Sequence, residues 1–168
     1  MGKKHRLLTP PERLEEMQRF APAAYAFPPA FLNALQLEVP PDLEPWYFTA
    51  TAESRQLFHS RVLREQFAFR VLVPFAEMDG TDDVFCFDGA DVSGDPAVLV
   101  IHTFCDPGWE YRGHWPSYAA WFERAEQLHE LFAADDDRYL EWDVPLFDEA
   151  WKAAPPRRRR WWRWPRAR

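Results

Sequence analysis

Apolar positions recur at helical spacing in four stretches of the chain and in short runs in five others. Behind Thr9-Pro10-Pro11-Glu12, the residues Leu14, Met17 and Phe20 step along one helical face. Thr9 is a capping residue, Pro10 occupies a first-turn position where a missing N–H costs nothing, and Glu12 completes a capping box. Pro22 stops this helix near Phe20. Pro28-Pro29 opens a second short helix with Phe31, Leu32 and Leu35 as its apolar face, ending before Pro40-Pro41. A third helix is predicted over 52–66 with Thr51 as its cap. Leu57, Phe58, Val62 and Leu63 form its inner face, and Arg55, His59, Arg61 and Arg64 lie away from it. The fourth starts at Ser117 and runs from Tyr118 to about Phe132, with Trp121, Phe122, Ala125, Leu128, Leu131 and Phe132 as its buried stripe.

The other runs read as strands. Residues 46–50 are aromatic and extended. Residues 71–75 carry Pro74, which predicts an edge or a bulge because proline cannot donate to a ladder. Residues 83–87 have no polar break, so both faces are expected to be covered. Residues 97–104 form the longest apolar run and are expected to be central. Residues 109–112 follow the Asp106-Pro107-Gly108 turn as a further strand. Turns rich in Asp and Gly separate these runs, since Gly takes positive φ and Asp bonds its own backbone. Such short connections favour antiparallel neighbours. Asp135-Asp136-Asp137 lies beyond the fourth helix, because acids oppose the dipole of a helix C-terminus. A last short helix is expected around 147–153. Helices before and after a meander of strands give an α+β fold: a single, mostly antiparallel mixed sheet packed against helices.

Composition adds a division of charge. The 168 residues include 27 acidic and 20 basic ones, for a net charge of −7. Seven of the basic residues, and no acid, fall in 155–168 (PPRRRRWWRWPRAR). The rest therefore carries 13 against 27, or −14. We divide the chain into a domain over 1–153 and an Arg/Trp-rich tail over 154–168. An acidic body repels nucleic acid and suits basic partners. In the tail, Arg157, Arg158, Arg159, Arg160 and Arg163 with Trp161, Trp162 and Trp164 suit phosphates, bases or an anionic lipid surface. No stretch approaches the ~20 apolar residues of a membrane span. The first residues lack the apolar core of a secretory leader, and the expected location is the cytoplasm. Cys86 and Cys105 sit in strand-like runs and read as small buried hydrophobes.

The order of motifs from Pro28 to Ala125 resembles the SMI1/KNR4 (SUKH) family. The resemblance is carried by Pro29-Ala30-Phe31-Leu32, by Leu43-Glu44-Pro45-Trp46, and by Leu72-Val73-Pro74-Phe75-Ala76 followed by an acidic turn. It continues through Val84-Phe85-Cys86-Phe87-Asp88, Gly94-Asp95-Pro96 and the strand from Val98 to His102, and closes with Ser117 and Trp121-Phe122. One difference is Thr81-Asp82-Asp83, where the family often has glycine before the next strand. The resemblance implies a binding module of one mixed sheet on helices. Many bacterial members are immunity proteins that block a secreted toxin, and others are regulatory or scaffold proteins.

Catalytic readings find little support in residue spacing. His102 and His114 have no Ser or Cys partner at a recognisable motif spacing, and Cys105 with a histidine is only formally a thiol dyad. No metal or cofactor is expected. Asp79, Asp82 and Asp83 in one turn read as turn chemistry or as an acidic contact patch, without the glutamate of an EF-hand. The expected function is a non-enzymatic immunity protein that binds a toxin through its sheet face and acidic loops. Asp79, Asp82, Asp83, Asp106, Trp109, Glu110 and Trp115 are the expected contacts, with tryptophan favoured as an interface anchor. The alternative is a regulatory or scaffold protein whose tail binds nucleic acid or anionic membrane.

Overall fold

The computed structural model describes residues 6–106 and 108–137. The elements, in order, are α1 (Pro10–Phe20), α2 (Pro29–Gln36), β1 (Trp46–Phe48), a 3₁₀ turn (Thr49–Thr51), α3 (Glu53–Gln66), β2 (Leu72–Met78), β3 (Asp83–Asp88), β4 (Val98–His102), β5 (Tyr111–Trp115) and α4 (Tyr118–Ala133). The five strands form one sheet in chain order, and all four pairings are antiparallel. The fold is thus α+β, one sheet packed against helices. The expected helix at 147–153 and the tail lie outside the described residues. Among the described residues, no helix is long and apolar enough to cross a membrane.

Local chemistry sets the helix starts. The backbone N–H of Thr9 donates to the Glu12 carboxylate at 2.8 Å, and Arg6 grips the same group from outside at 2.8 and 2.9 Å. Arg6 and the Thr9 backbone hold the Glu12 carboxyl at about 2. Ser117 accepts from the Ala120 N–H as the cap of α4. Arg13, unremarked in the sequence, is 4% exposed and reaches the carbonyls of Leu8, Leu35, Leu37 and Glu38. It thereby satisfies the carbonyls that the end of α2 leaves without helical partners.

One sheet face carries Trp46, Phe48, Val73, Phe75, Phe85, Phe87, Val98, Val100 and Trp115. It packs under Met17 of α1, Phe31 and Leu35 of α2, and Tyr118, Trp121, Ala125 and Leu128 of α4. Phe75 stacks on Phe87 at 4.2 Å. The opposite face carries Val84, Cys86, Leu99, Ile101 and Tyr111 and packs with Leu63 and Phe67. Both faces of β3 are buried, as its unbroken apolar run predicts. Phe75 is the extra residue of a bulge between Pro74 and Ala76, the distortion expected at Pro74.

Three expectations are corrected. First, α3 is turned only partly as expected: Leu63 faces in and Arg61 and Arg64 face out, but Leu57, Phe58 and His59 change places. Leu57 is 43% and Phe58 51% exposed, while Gln56, His59, Ser60 and Leu63 are buried. The reason lies on β2. Strand β1 pairs only with Ala76–Met78 and does not reach Pro74, whose carbonyl is met from α3 instead. Gln56 Nε2 donates to it at 2.9 Å. One helical turn on, His59 hydrogen-bonds Glu77, and Arg55 pairs with the same carboxylate at 2.7 Å. Burial alone would raise the Glu77 carboxyl, but the His59 hydrogen bond and charge, with Arg55, hold it below its ordinary value. Polar groups on β2 thus draw the polar face of α3 inward, because unpaired buried polar groups cost more than exposed apolar ones. Second, Thr51 does not cap α3. Ala52 holds that position, and Thr51 Oγ1 donates to the Phe48 carbonyl across the 3₁₀ turn. Third, β4 ends at His102 rather than residue 104, because Phe104 turns to φ 62°. The next strand begins at Tyr111, so Trp109 and Glu110 belong to a loop.

Candidate functional site

A meander brings the β2–β3 turn (79–82) and the β4–β5 loop (103–110) to one end of the sheet. They are joined there: the backbone N–H and Oγ1 of Thr103 both donate to the Asp82 carbonyl, at 2.8 and 2.9 Å. The His102 N–H donates to the Glu110 carbonyl at 2.7 Å, which carries the β4–β5 ladder into the loop. The Phe104 N–H donates to Gln66 Oε1 at the end of α3, at 3.0 Å. The turn is tied back as well, through Asp79 N–H to the Pro45 carbonyl at 2.9 Å.

The loop is held from inside by Glu110. Its side chain is fully buried; Oε1 accepts from Arg70 Nε at 2.8 Å and Oε2 from the Gly108 N–H at 2.5 Å. With its backbone pinned at Thr103, Phe104, Gly108 and Glu110, the loop projects two aromatic side chains. Phe104 is 61% and Trp109 74% exposed. Phe104 adopts the left-handed conformation, which is costly for a bulky residue and is retained only where neighbours enforce it. Asp106 is exposed in the same loop, its carbonyl accepting from the Trp109 N–H at 3.0 Å, and Asp79 and Asp82 are exposed in the turn joined to it.

The expected contact residues therefore divide. Asp79, Asp82, Asp106 and Trp109 lie together on this exposed end. Asp83 is adjacent but half-enclosed, its Oδ1 2.8 Å from His102 Nδ1. Glu110 and Trp115 are not surface residues, which corrects their assignment as contacts. Glu110 is the internal brace just described. Trp115 is 3% exposed in the core, 6.0 Å from the Phe85 ring. Tyr111 and Trp115 lie on opposite faces of the sheet although they are four residues apart, because a bulge at Arg112 between Tyr111 and Gly113 breaks the alternation of β5. Contact through the sheet face is corrected too, since β3 and β4 are buried on both sides. Phe104 was missed because it reads as the last residue of an apolar strand.

Asp83, His102 and Cys105 stand close enough to raise the question of a thiol triad. Asp83 orients the imidazole as an orienting acid would. The thiol, however, donates to the His102 backbone carbonyl at 3.1 Å, and burial together with the Glu110 charge pushes it up from its ordinary value. A nucleophilic cysteine needs the opposite shift. We therefore expect Cys105 to be alkylated by iodoacetamide at neutral pH more slowly than a free thiol, which is itself only a few per cent thiolate. Rapid labelling that vanishes in Cys105→Ser would reinstate the thiol reading. Cys86 is fully buried, and its thiol is pushed well up by desolvation.

The other histidines among the described residues have structural partners: His114 Nδ1 meets the Tyr111 hydroxyl at 2.7 Å, and His129 Nδ1 meets the Glu44 carbonyl at 2.9 Å. Among the described residues, no three His, Cys, Asp or Glu side chains gather as a metal site. A cavity of 320 Å³ opens between the end of α1 and α3, lined by Phe20, Pro22, Leu63, Arg64 and Leu72 among others. No acid–base pair lines it. The tail residues Arg157, Arg158, Arg159, Arg160, Trp161, Trp162, Arg163 and Trp164 lie outside the described residues. Comparisons of the chain with protein-family models, curated proteins and solved structures found no match.

Proposed function

We propose that this chain is a non-enzymatic binding module of the SMI1/KNR4 (SUKH) kind. On this reading it acts in the cytoplasm as an immunity protein, covering the active region of a basic bacterial toxin such as a nuclease. The observation that carries the reading is the pinned β4–β5 loop, which holds Phe104 and Trp109 out at the end of the sheet that carries Asp79, Asp82 and Asp106. A pinned aromatic anchor beside mostly acidic turn residues has the make-up of a protein-binding hot spot. Preorganisation lowers the ordering cost of association, and the −14 body speeds encounter with a basic partner. The structural roles of His102 and Cys105 support binding over catalysis at this end.

The test is a growth-rescue and affinity experiment with the toxin domain that co-purifies at moderate salt. Trp109→Ala is expected to weaken the complex by about 2 kcal/mol or more, roughly thirtyfold, mainly through faster dissociation. Asp82→Lys with Asp106→Lys is expected to slow association and flatten its salt dependence. Wild-type affinity in both variants would remove this end from the interface. Retention of nucleic acid or lipid in place of a protein would favour the regulatory reading through the tail.

A further inference from the structure

We propose that the aromatic, acidic end of the sheet is also a docking surface for the chain's own C-terminal segment, Arg157 to Trp164. This does not rest on the toxin reading, since it needs no second molecule. Three observations carry it.

The first is chemical fit. The exposed faces of Phe104 and Trp109 suit guanidinium groups, which stack over aromatic rings. Asp106 in the same loop, and Asp82 and Asp79 in the turn joined to it, carry carboxylates that accept paired N–H groups from arginine. The segment RRRRWWRW supplies five arginines, with Trp161, Trp162 and Trp164 to pack on the two exposed rings. Arg112 is an exposed basic residue near this end, and Arg70 is already committed to Glu110. The charge left facing outward is thus carried mostly by the three aspartates.

The second is charge balance within one chain. Residues 1–154 carry −14, and residues 155–168 carry +7 with no acid. The tail's nearest large anion is its own body. The third is reach. Residues 138–154 separate the last described residue from the tail, and an extended chain spans ~3.3 Å per residue, or roughly 55 Å. A domain of this size has a radius of gyration of only about 15 Å. Tethering gives an effective concentration on the order of 1 mM. A segment of ~0.1 mM intrinsic affinity would then be docked about ten parts to one. An external basic partner would have to displace it, so the tail would set a threshold for binding.

The experiment is amide hydrogen exchange on the full chain, without any partner. Wild type is compared with a variant carrying Arg157→Gln, Arg158→Gln, Arg159→Gln and Arg160→Gln. The expected result is roughly tenfold faster exchange of the 79–83 and 103–110 amides in the variant. Amides of β3 and β4 serve as the reference for global stability. Wild type should move the same way between about 0.1 M and about 1 M salt, as the Debye length falls from ~10 to ~3 Å. Asp82→Lys with Asp106→Lys should reproduce the tail variant. Unchanged exchange in these loops would overturn the proposal. Protection that is lost on serial dilution would overturn it as well, by assigning the occupant to a second copy. Since no toxin is present, failure here leaves the affinity test of the immunity reading untouched.

Discussion

Trp121→Ala is expected to lower the unfolding free energy by about 3–5 kcal/mol, the range for deleting a large buried aromatic side chain. Trp121 is 1% exposed at the centre of the main core. Its ring lies 4.8 Å from Phe75, 5.6 Å from Tyr118, 5.9 Å from Trp46 and 6.1 Å from Phe85. It therefore joins α4 to strands β1, β2 and β3 at once. Rings fixed by one another cannot collapse into the vacated space, which keeps the cavity open and the cost high. The indole N–H has no hydrogen-bond partner among the described residues, so its contribution there is packing. Trp121→Phe should accordingly retain most of the stability. A domain of this kind has only about 5–15 kcal/mol in total, so the alanine variant will sit near the edge of folding. Urea unfolding of the phenylalanine variant then keeps the comparison measurable. An alanine cost below about 1 kcal/mol would mean the core repacks freely, against the geometry described.

Glu110→Ala is expected to cost a similar amount, about 3–5 kcal/mol, by a different mechanism. It leaves Arg70, 10% exposed at its side chain, without its buried carboxylate, and it strips the Gly108 N–H of its acceptor. Breaking one side of a buried pair costs more than the pair contributes, because the remaining charge stays desolvated. Replacing both partners, as Arg70→Met with Glu110→Gln, should recover part of the loss, and the double-mutant cycle measures the coupling. The functional consequence separates this brace from a core residue. Freed from inside, the 103–110 loop should lose the fixed poses of Phe104 and Trp109. Partner affinity should then fall in Glu110→Gln even where the protein remains folded. If Glu110→Gln binds as wild type does, the loop needs no brace and its order comes from the backbone bonds alone.

Much of the fold was legible from local chemistry. The Thr9–Glu12 box, the prolines opening α1 and α2, and Ser117 at the head of α4 mark helix starts because capping is decided within one turn of chain. The covered faces of β3 and the bulge at Pro74 were likewise readable, since strand burial and missing donors leave a mark in the run itself. Of the exposed end, Asp79, Asp82 and Asp106 were legible as turn residues of the right chemistry, and Trp109 as an interface anchor, although it reads as part of a strand. That they share one surface was not, because the Thr103–Asp82 bonds joining the two loops connect residues 21 positions apart.

By itself, then, the sequence determined the element order, the α+β class, the division into acidic body and basic tail, and which turns carry charge. These follow from interactions local in the chain or from composition. Only the tertiary structure decided the orientation of α3, whose apolar Leu57 and Phe58 face out because the Pro74 carbonyl and the Glu77 carboxylate demand polar partners inside. It also decided that Glu110 is an internal brace, that Trp115 is core, and that Phe104 turns outward. Each of these depends on a partner distant in sequence: Arg70 for Glu110, Phe85 for Trp115, Gln66 for Phe104. A buried polar group takes whichever partner the packed chain brings within reach, and no periodicity in the sequence records that choice.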